Sequence, residues 1–318
     1  MSRTLDRVFA LEAVRVTEAA AIAVSQHIGR GDEHEADLAA TEAMRAALNA
    51  LAIDGTVVIG EGERDEAPML FIGEKVGKGG APVDIALDPL EGTTLTAKAL
   101  PNALTVIAIA ETGTLLNAPD TYMDKIAIGG GYPKATIDLD ADPADNIVNL
   151  AKAKGVKASE IAACVLDRPR HEKIIERIRK TGAAIRLITD GDVAGVIATS
   201  DPETGIDIYI GQGGAPEGVL AAAALRCAGG QMQTRLVFRN DSERARADRL
   251  GITDLNRKYD LMALASGDVM FAATGVTDGS MLRGVHAAGG FVTTHSVVMR
   301  SATRNVRWIT SRRPQPDG

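Results

Sequence analysis

Apolar residues recur at helical spacing from Leu5 to Ile28, with Val8, Leu11, Val14 and Ala21 roughly in register, and predict an amphipathic helix. Gly29-Arg30-Gly31-Asp32 breaks it, and a second helix is expected from His34 to Leu51, with Ala36, Ala39, Ala40, Met44 and Leu48 turned inward. After the turn at Asp54-Gly55, Thr56–Gly60 reads as a short buried strand. Val83–Leu87 reads as the next and delivers Asp88, while Leu104–Ala110 is apolar enough to be central. A helix is expected from Ala144 to Lys154. Beyond Ile161, strand and helix alternate through Ala162–Leu166, His171–Thr181, Ile185–Ile188, Val193–Thr199 and Ile206–Ile210, then the Ala-rich helix Gly218–Ala228. Arg239–Lys258 is charged and reads as a surface helix or loop, and Val269–Ala273 and Phe291–Met299 as late strands. Residues 311–318 look like a frayed, disordered tail. The pattern predicts an α/β chain (α+β, layered) with two subdomains, 1–155 and 156–318, and a cleft between them.

Composition narrows the class. Hydrophobic residues make up 45% of the 318 positions, enough for a sizeable core, while aromatics are only 3%, which argues against base-stacking surfaces. The net charge of −7 excludes a broad nucleic-acid footprint. An acidic protein that binds an anion needs local positive charge, from a few Arg or Lys or from bound cations. Cys164 and Cys227 sit in apolar or small-residue runs without metal-ligand spacing and read as buried thiols. No secretory signal or membrane-length apolar run is apparent, so a soluble, cytoplasmic protein is expected.

Three groups of acids then stand out. Glu61, Glu63 and Asp65 follow one buried strand, Asp88 and Glu91 follow another, and Asp32 and Asp37 flank a helix start. Carboxylates gathered at one sheet edge repel each other unless cations lie among them, and hard divalent cations such as Mg²⁺ or Mn²⁺ favour such oxygen ligands. In Asp88-Pro89-Leu90-Glu91-Gly92-Thr93-Thr94 the proline bends the chain, Glu91 can return a second carboxylate to the same side, and Gly92 admits close backbone approach. Thr93 and Thr94 could offer hydroxyls and amides at a helix N-terminus. The same segment is also ordinary turn chemistry, and an acidic turn is commonly a solvated loop.

The segment D-P-L-E-G-T-T resembles the D-P-(I/L)-(D/E)-G-(T/S) signature of the inositol monophosphatase and fructose-1,6-bisphosphatase superfamily. Its surroundings resemble one branch, the bacterial class II fructose-1,6-bisphosphatases. G-R-G-D at 29–32, I-D-G-T-V-V-I-G-E-G-E-R-D-E-A-P-M-L at 53–70, N-A-P-D-T-Y-M at 117–123, R-P-R-H at 168–171, D-G-D-V-A at 190–194 and G-G-A-P-E-G-V at 213–219 carry the match, in order, to about residue 305. The resemblance implies a sugar-phosphatase α-β-α-β-α sandwich and a homo-oligomer, dimer or tetramer. It also implies hydrolysis of the 1-phosphate of fructose 1,6-bisphosphate, in gluconeogenesis or Calvin-type metabolism, with Mn²⁺ or Mg²⁺.

It further implies metal ligation by Asp37 and Glu61 at one site and by Asp88, Glu91 and Glu217 at a second. Phosphate and sugar contacts are expected at Glu91, Gly92, Thr93, Tyr122, Arg168, Pro169, Arg170, Asp190, Gly191, Asp192 and Gly214. Thr93, with Glu61 or Asp65, would orient and deprotonate the attacking water. Arg168 and Arg170 would hold the second phosphate through their fork geometry. From the residues alone, Arg168 and Arg170 read equally as a solvated helix start, Tyr122 as a half-buried core aromatic, Asp190 and Asp192 as a turn, and Glu217 as a complement to a helix dipole. One departure matters: Glu33-His34 stands where family members often carry Lys-Asn, with His34 reading as a surface or capping-region residue. Two other readings are a sedoheptulose 1,7-bisphosphatase, alone or as a dual activity, and a non-catalytic sugar-phosphate sensor.

Overall fold

The apolar stripe of the first segment folds as α1 (Phe9–Ser25), burying Ala13, Val14, Val16, Ala20, Ala21 and Val24. α2 (Glu33–Leu48) opens on Asp32, whose carboxylate accepts from the Glu35 amide at 3.0 Å, and buries Ala36, Ala40, Met44 and Leu48. These elements come from a computed structural model that describes residues 8–62 and 68–315. β1 (Ile53–Ile59), β2 (Lys75–Val76), β3 (Ala81–Glu91), the short α3 (Thr93–Ala97) and β4 (Leu104–Glu111) follow. β1 and β3 run parallel, β3 and β4 antiparallel. β4 is buried at seven of its eight positions, as its unbroken apolar run requires of a central strand.

The middle of the chain builds a second sheet. Its elements are β5 (Tyr122–Ile128), α4 (Pro143–Lys154), β6 (Ala162–Leu166), α5 (Glu172–Arg179), β7 (Ala184–Ile188), α6 (Asp192–Ala198) and β8 (Ile208–Gly214), then α7 (Ala215–Ala228), β9 (Gln231–Val237), α8 (Asp241–Arg249), β10 (Tyr259–Asp260) and α9 (Leu261–Leu264). The strand order is β10-β9-β5-β8-β6-β7. β6 pairs parallel with β7 and β8, as the alternating pattern predicts, whereas β5 runs antiparallel to β8 and β9. Strand residues of one parity (Ile126, Ile128, Ala163, Val165, Ile208, Ile210) share a core with Ile147, Leu150, Ile175 and Ile178 of α4 and α5. Cys164 and Tyr209, of the other parity, lie against Gly195 of α6. Helices thus cover both faces of this sheet.

The chain then returns to the first sheet through β11 (Val269–Gly275), β12 (His286–Ala288), β13 (Phe291–Arg300) and β14 (Asn305–Pro314). β11 pairs with β4 over seven residues, and the eight-stranded order is β12-β13-β11-β4-β3-β1-β2 with β14 on β13. The fold is the mixed α/β class expected. Its division differs from the expected cut at 155/156: one compact unit comprises Met1–Leu115 with Gly267–Gly318, the other Leu116–Ser266. The reason is the long-range pairing of β4 with β11, which sequence periodicity does not report. Residues 311–314, expected in the frayed tail, complete β14, with Ser311 opposite Thr294 and Arg313 opposite Val292. They read as a tail because Ser311-Arg312-Arg313-Pro314, at the end of an edge strand, shows no apolar alternation. Among the described residues, no helix is long and apolar enough to cross a membrane.

Candidate functional site

In the first unit, strand register sets the acids. Ile59 of β1 lies opposite Ala86 of β3, so Glu61, just past β1, and Asp88, still within β3, each stand two residues further on, at the same level of adjacent parallel strands. The Glu61 amide donates to the Leu70 carbonyl at 3.1 Å. The Leu70 amide in turn donates to the buried carboxylate of Glu74, which Arg45 of α2 holds at 2.6 Å. The segment bearing Glu61 is thereby tied to the helix bearing Asp37. The Asp37 and Glu61 side chains are hydrogen-bonded to each other. Burial pushes the Asp37 carboxyl above the usual carboxylate range, opposed by the bond to Glu61 and by nearby His34. Two carboxyls in contact require a shared proton or a cation between them.

Asp88 and Glu91 meet through a bulge. Three residues apart on a regular strand, they would point to opposite faces. Here Asp88 lies opposite Val106 and Glu91 opposite Leu104, so β3 carries one residue more than β4 and both side chains fall on the same face. Their carboxylate oxygens come within 4.8 Å of one another. The Leu90 amide donates to Asp88 Oδ1 at 2.9 Å, and Glu91 is 5% exposed. Gly92 follows at φ 95°, and a Cβ there would stand 2.8 Å from Leu95 Cδ1, so this turn accepts only glycine without strain. Thr93 is half-buried at the start of α3, which is only five residues long and makes no extended helix dipole. An all-carboxylate donor set fits a hard divalent cation. Glu33 and His34 are exposed in the first turn of α2 and leave these pairs in place. Asp65, expected as an alternative base, lies outside the described residues, as does Glu63.

The second unit carries the other expected residues. Tyr122 opens β5 beneath two guanidinium groups, with Arg170 Cζ at 4.9 Å and Arg239 Cζ at 4.3 Å from its ring centroid. It is therefore not a plain core aromatic. Arg168, Pro169 and Arg170 form the tight turn that leaves β6. Arg170 donates through Nε and Nη2 to the Gln212 carbonyl, at 3.2 and 2.8 Å. His171, 1% exposed, makes a 2.7 Å Nδ1 bond with the Leu166 carbonyl, and its Nε2 accepts from the Gln212 amide at 2.8 Å. An accepting Nε2 makes the ring neutral with its proton on Nδ1. Burial pushes the His171 pKa down, and Arg170 and Arg168 add to that. The Arg-Pro-Arg-His turn is thus stapled to β8.

The Gly191 amide donates to Asp190 Oδ1 at 3.1 Å. Asp192 Oδ2 lies 2.6 Å from Lys125 Nζ and 3.4 Å from the Tyr209 hydroxyl. Lys125 has no exposed side-chain surface and Asp192 only 6%. β8 crosses so closely at Gly213 that a Cβ would sit 1.9 Å from Asp192 Oδ2. These contacts anchor Asp192 in the turn that also carries Asp190. Gly214 caps α7, with Glu217 in its first turn. Sequence reasoning missed His171, Lys125, Gln212 and Arg239. The R-P-R-H motif carried a signal for the first, while nothing local marked the others.

A family profile described as "Bacterial fructose-1,6-bisphosphatase, glpX-encoded" matches residues 7–313. "Fructose-1,6-bisphosphatase 1 class 2" of Escherichia coli is 46% identical over 322 residues, spanning 96% of this chain and 95% of that protein. "Fructose-1,6-bisphosphatase class 2" of Shigella flexneri matches to the same extent. Among solved structures, the inositol monophosphatase from Anabaena (Nostoc) overlaps 60% of this chain and 71% of its own at 14% identity, with a TM-score of 0.32 that is too low to carry an argument.

Proposed function

The chain belongs to the bacterial class 2 fructose-1,6-bisphosphatase family, and from that premise we propose that it hydrolyses the 1-phosphate of fructose 1,6-bisphosphate, releasing fructose 6-phosphate and inorganic phosphate. The observation that carries this reading is 46% identity over 96% of the chain, with Asp37 bonded to Glu61 and the carboxylate oxygens of Asp88 and Glu91 within 4.8 Å of each other. The reading includes Mg²⁺ or Mn²⁺ held by Asp37 and Glu61 and by Asp88 and Glu91, with Glu217 as a further ligand implied by the family motif. Such cations, when bound, supply the positive charge that phosphate and the departing sugar oxygen need.

Around that centre the chain's own groups divide the work. Thr93 orients the attacking water, and Glu61 or Asp65 takes its proton as the water oxygen bonds to phosphorus and the bond to the sugar oxygen breaks, the departing oxygen gaining a proton from solvent. Arg168 and Arg170 hold the second phosphate, Tyr122 lines it, and Asp190 accepts from a sugar hydroxyl. Since phosphate monoesters hydrolyse extremely slowly unaided, charge neutralisation and alignment carry most of the acceleration. The working form in this reading is a cytoplasmic homo-oligomer.

The test is phosphate release from fructose 1,6-bisphosphate with Mn²⁺, Mg²⁺ or chelator, beside sedoheptulose 1,7-bisphosphate, whose extra carbon makes it the nearest competitor. Cation-dependent turnover that collapses in Asp88→Asn and Glu61→Gln supports the proposal. Substrate binding without release at saturating cation supports the sensor reading instead.

A further inference from the structure

Tyr122 carries two cations on one ring, and the second of them, Arg239, comes from a segment with no expected role. Two guanidinium groups sharing one ring repel, so holding both there needs the ring's attraction and separate anchors. The anchors are alike. Arg170 commits its Nε and Nη2 edge to the Gln212 carbonyl. Arg239 commits the same edge to Glu243, with Nε at 2.7 Å and Nη2 at 2.5 Å from Oε1, while its backbone amide donates to Oε2 at 2.7 Å.

Glu243 is a rigid base for this grip. Its side chain is 4% exposed, its Oε2 also accepts from the Thr121 hydroxyl at 2.8 Å, and its amide donates to the Asn240 cap of α8 at 2.9 Å. The Arg239 side chain it holds is nevertheless 53% exposed. A long exposed side chain fixed by a buried carboxylate has already lost much of the rotamer entropy that ligand binding would cost. In both arginines the committed edge leaves Nη1 without a protein acceptor among the described residues. Two preset donors beside one aromatic ring match the several acceptor oxygens of a phosphate group.

We infer that Arg239 is a substrate-binding residue that holds, with Arg170 on the Tyr122 ring, the phosphate that is not hydrolysed. This rests on the bisphosphatase reading above. Arg239 is then a specificity determinant for bisphosphates over monophosphates, and Glu243 its positioning residue. An Arg239 that only neutralises Glu243 would matter to stability and affect every substrate alike.

The experiment compares fructose 1,6-bisphosphate with fructose 1-phosphate, which lacks the distal phosphate, for the intact wild type, Arg239→Met and Arg239→Lys, with Tm measured for each. The expected result is a rise of about tenfold or more in KM for the bisphosphate in Arg239→Met, as loss of a charge-assisted contact predicts, with a much smaller change in kcat. The bisphosphate preference in kcat/KM falls by a similar factor, and Arg239→Lys recovers part of it. Should Arg239→Met fail to fold, Arg239→Lys, which keeps a cation beside Glu243, carries the same comparison. A preference unchanged in the variants overturns this inference alone. A wild type that turns over neither substrate, or shows no bisphosphate preference, overturns the bisphosphatase reading and this inference together.

Discussion

The two units solve opposite electrostatic problems. In the first, Asp37 with Glu61 and Asp88 with Glu91 bring acidic groups close together, and strand register and a bulge hold them there. In the second, Arg170 and Arg239 crowd positive charge around Tyr122, held by the Gln212 carbonyl and by the buried Glu243 carboxylate respectively. Acids positioned by backbone are under electrostatic tension that a cation relieves. Arg170, committed to the Gln212 carbonyl, and Arg239, paired with Glu243, are relieved already and wait as donors. The difference predicts that disrupting the first region costs turnover and little stability, whereas disrupting the supports of the second costs stability and substrate affinity.

The largest effect is expected for Asp88→Asn and Glu61→Gln, which should lower kcat on the order of a thousandfold, as removal of transition-state charge stabilisation does. Tm without added cation should hold or rise, because one of two repelling acids is gone. A fall of several degrees in that Tm would break the contrast between the regions.

Next comes Lys125→Met. Leaving Asp192 as an uncompensated buried charge costs about 3–5 kcal/mol, measurable by denaturant unfolding. The double substitution Lys125→Met with Asp192→Leu should recover most of that, since a buried ion pair replaced by apolar groups is often near neutral. Failure of the double variant to recover would show that the pair does more than satisfy itself.

His171→Leu is expected to be milder, about 1–3 kcal/mol for the Leu166 carbonyl and Gln212 amide it strands, with a raised KM because the turn bearing Arg170 loosens from β8. Unchanged KM with lowered stability would separate this staple from binding.

The smallest effect is in pH. Burial lowers the folded His171 pKa below its unfolded value near 6.5, so the unfolded chain binds the extra proton more readily. Its contribution to stability is present above that value and is lost as pH falls from about 6.5 toward the lower folded pKa. Tm should therefore drop across that window, and less steeply in His171→Leu. An identical slope in both proteins would assign the dependence to other groups.

The same contrast explains what the sequence made legible. Glu61 and Asp88 follow apolar runs directly, so both acids could be placed against strands, although β3 runs on past Asp88 to Glu91. That Asp88 and Glu91 share a side was anticipated from the turn, although its cause, an extra residue opposite Val106 and Leu104, belongs to β4 pairing and has no local trace. In the second unit Tyr122, Arg168 and Arg170 were legible only through motif resemblance. Lys125, Gln212 and Glu243 were not, because each acquires its role from a partner 67, 41 or 122 residues away. β5 escaped for a related reason: Asp124 and Lys125 interrupt its apolar pattern, and Lys125 can be buried only because Asp192 meets it. β14 and the return of the chain at Gly267 escaped because pairing between distant strands writes no periodicity into either.

The most direct measurement is inorganic phosphate release from fructose 1,6-bisphosphate by the wild type and Asp88→Asn, each with Mn²⁺ and with chelator. The account predicts turnover only for the wild type with cation, and loss on the order of a thousandfold in the variant at unchanged or higher Tm. Comparable turnover in all four conditions would contradict it.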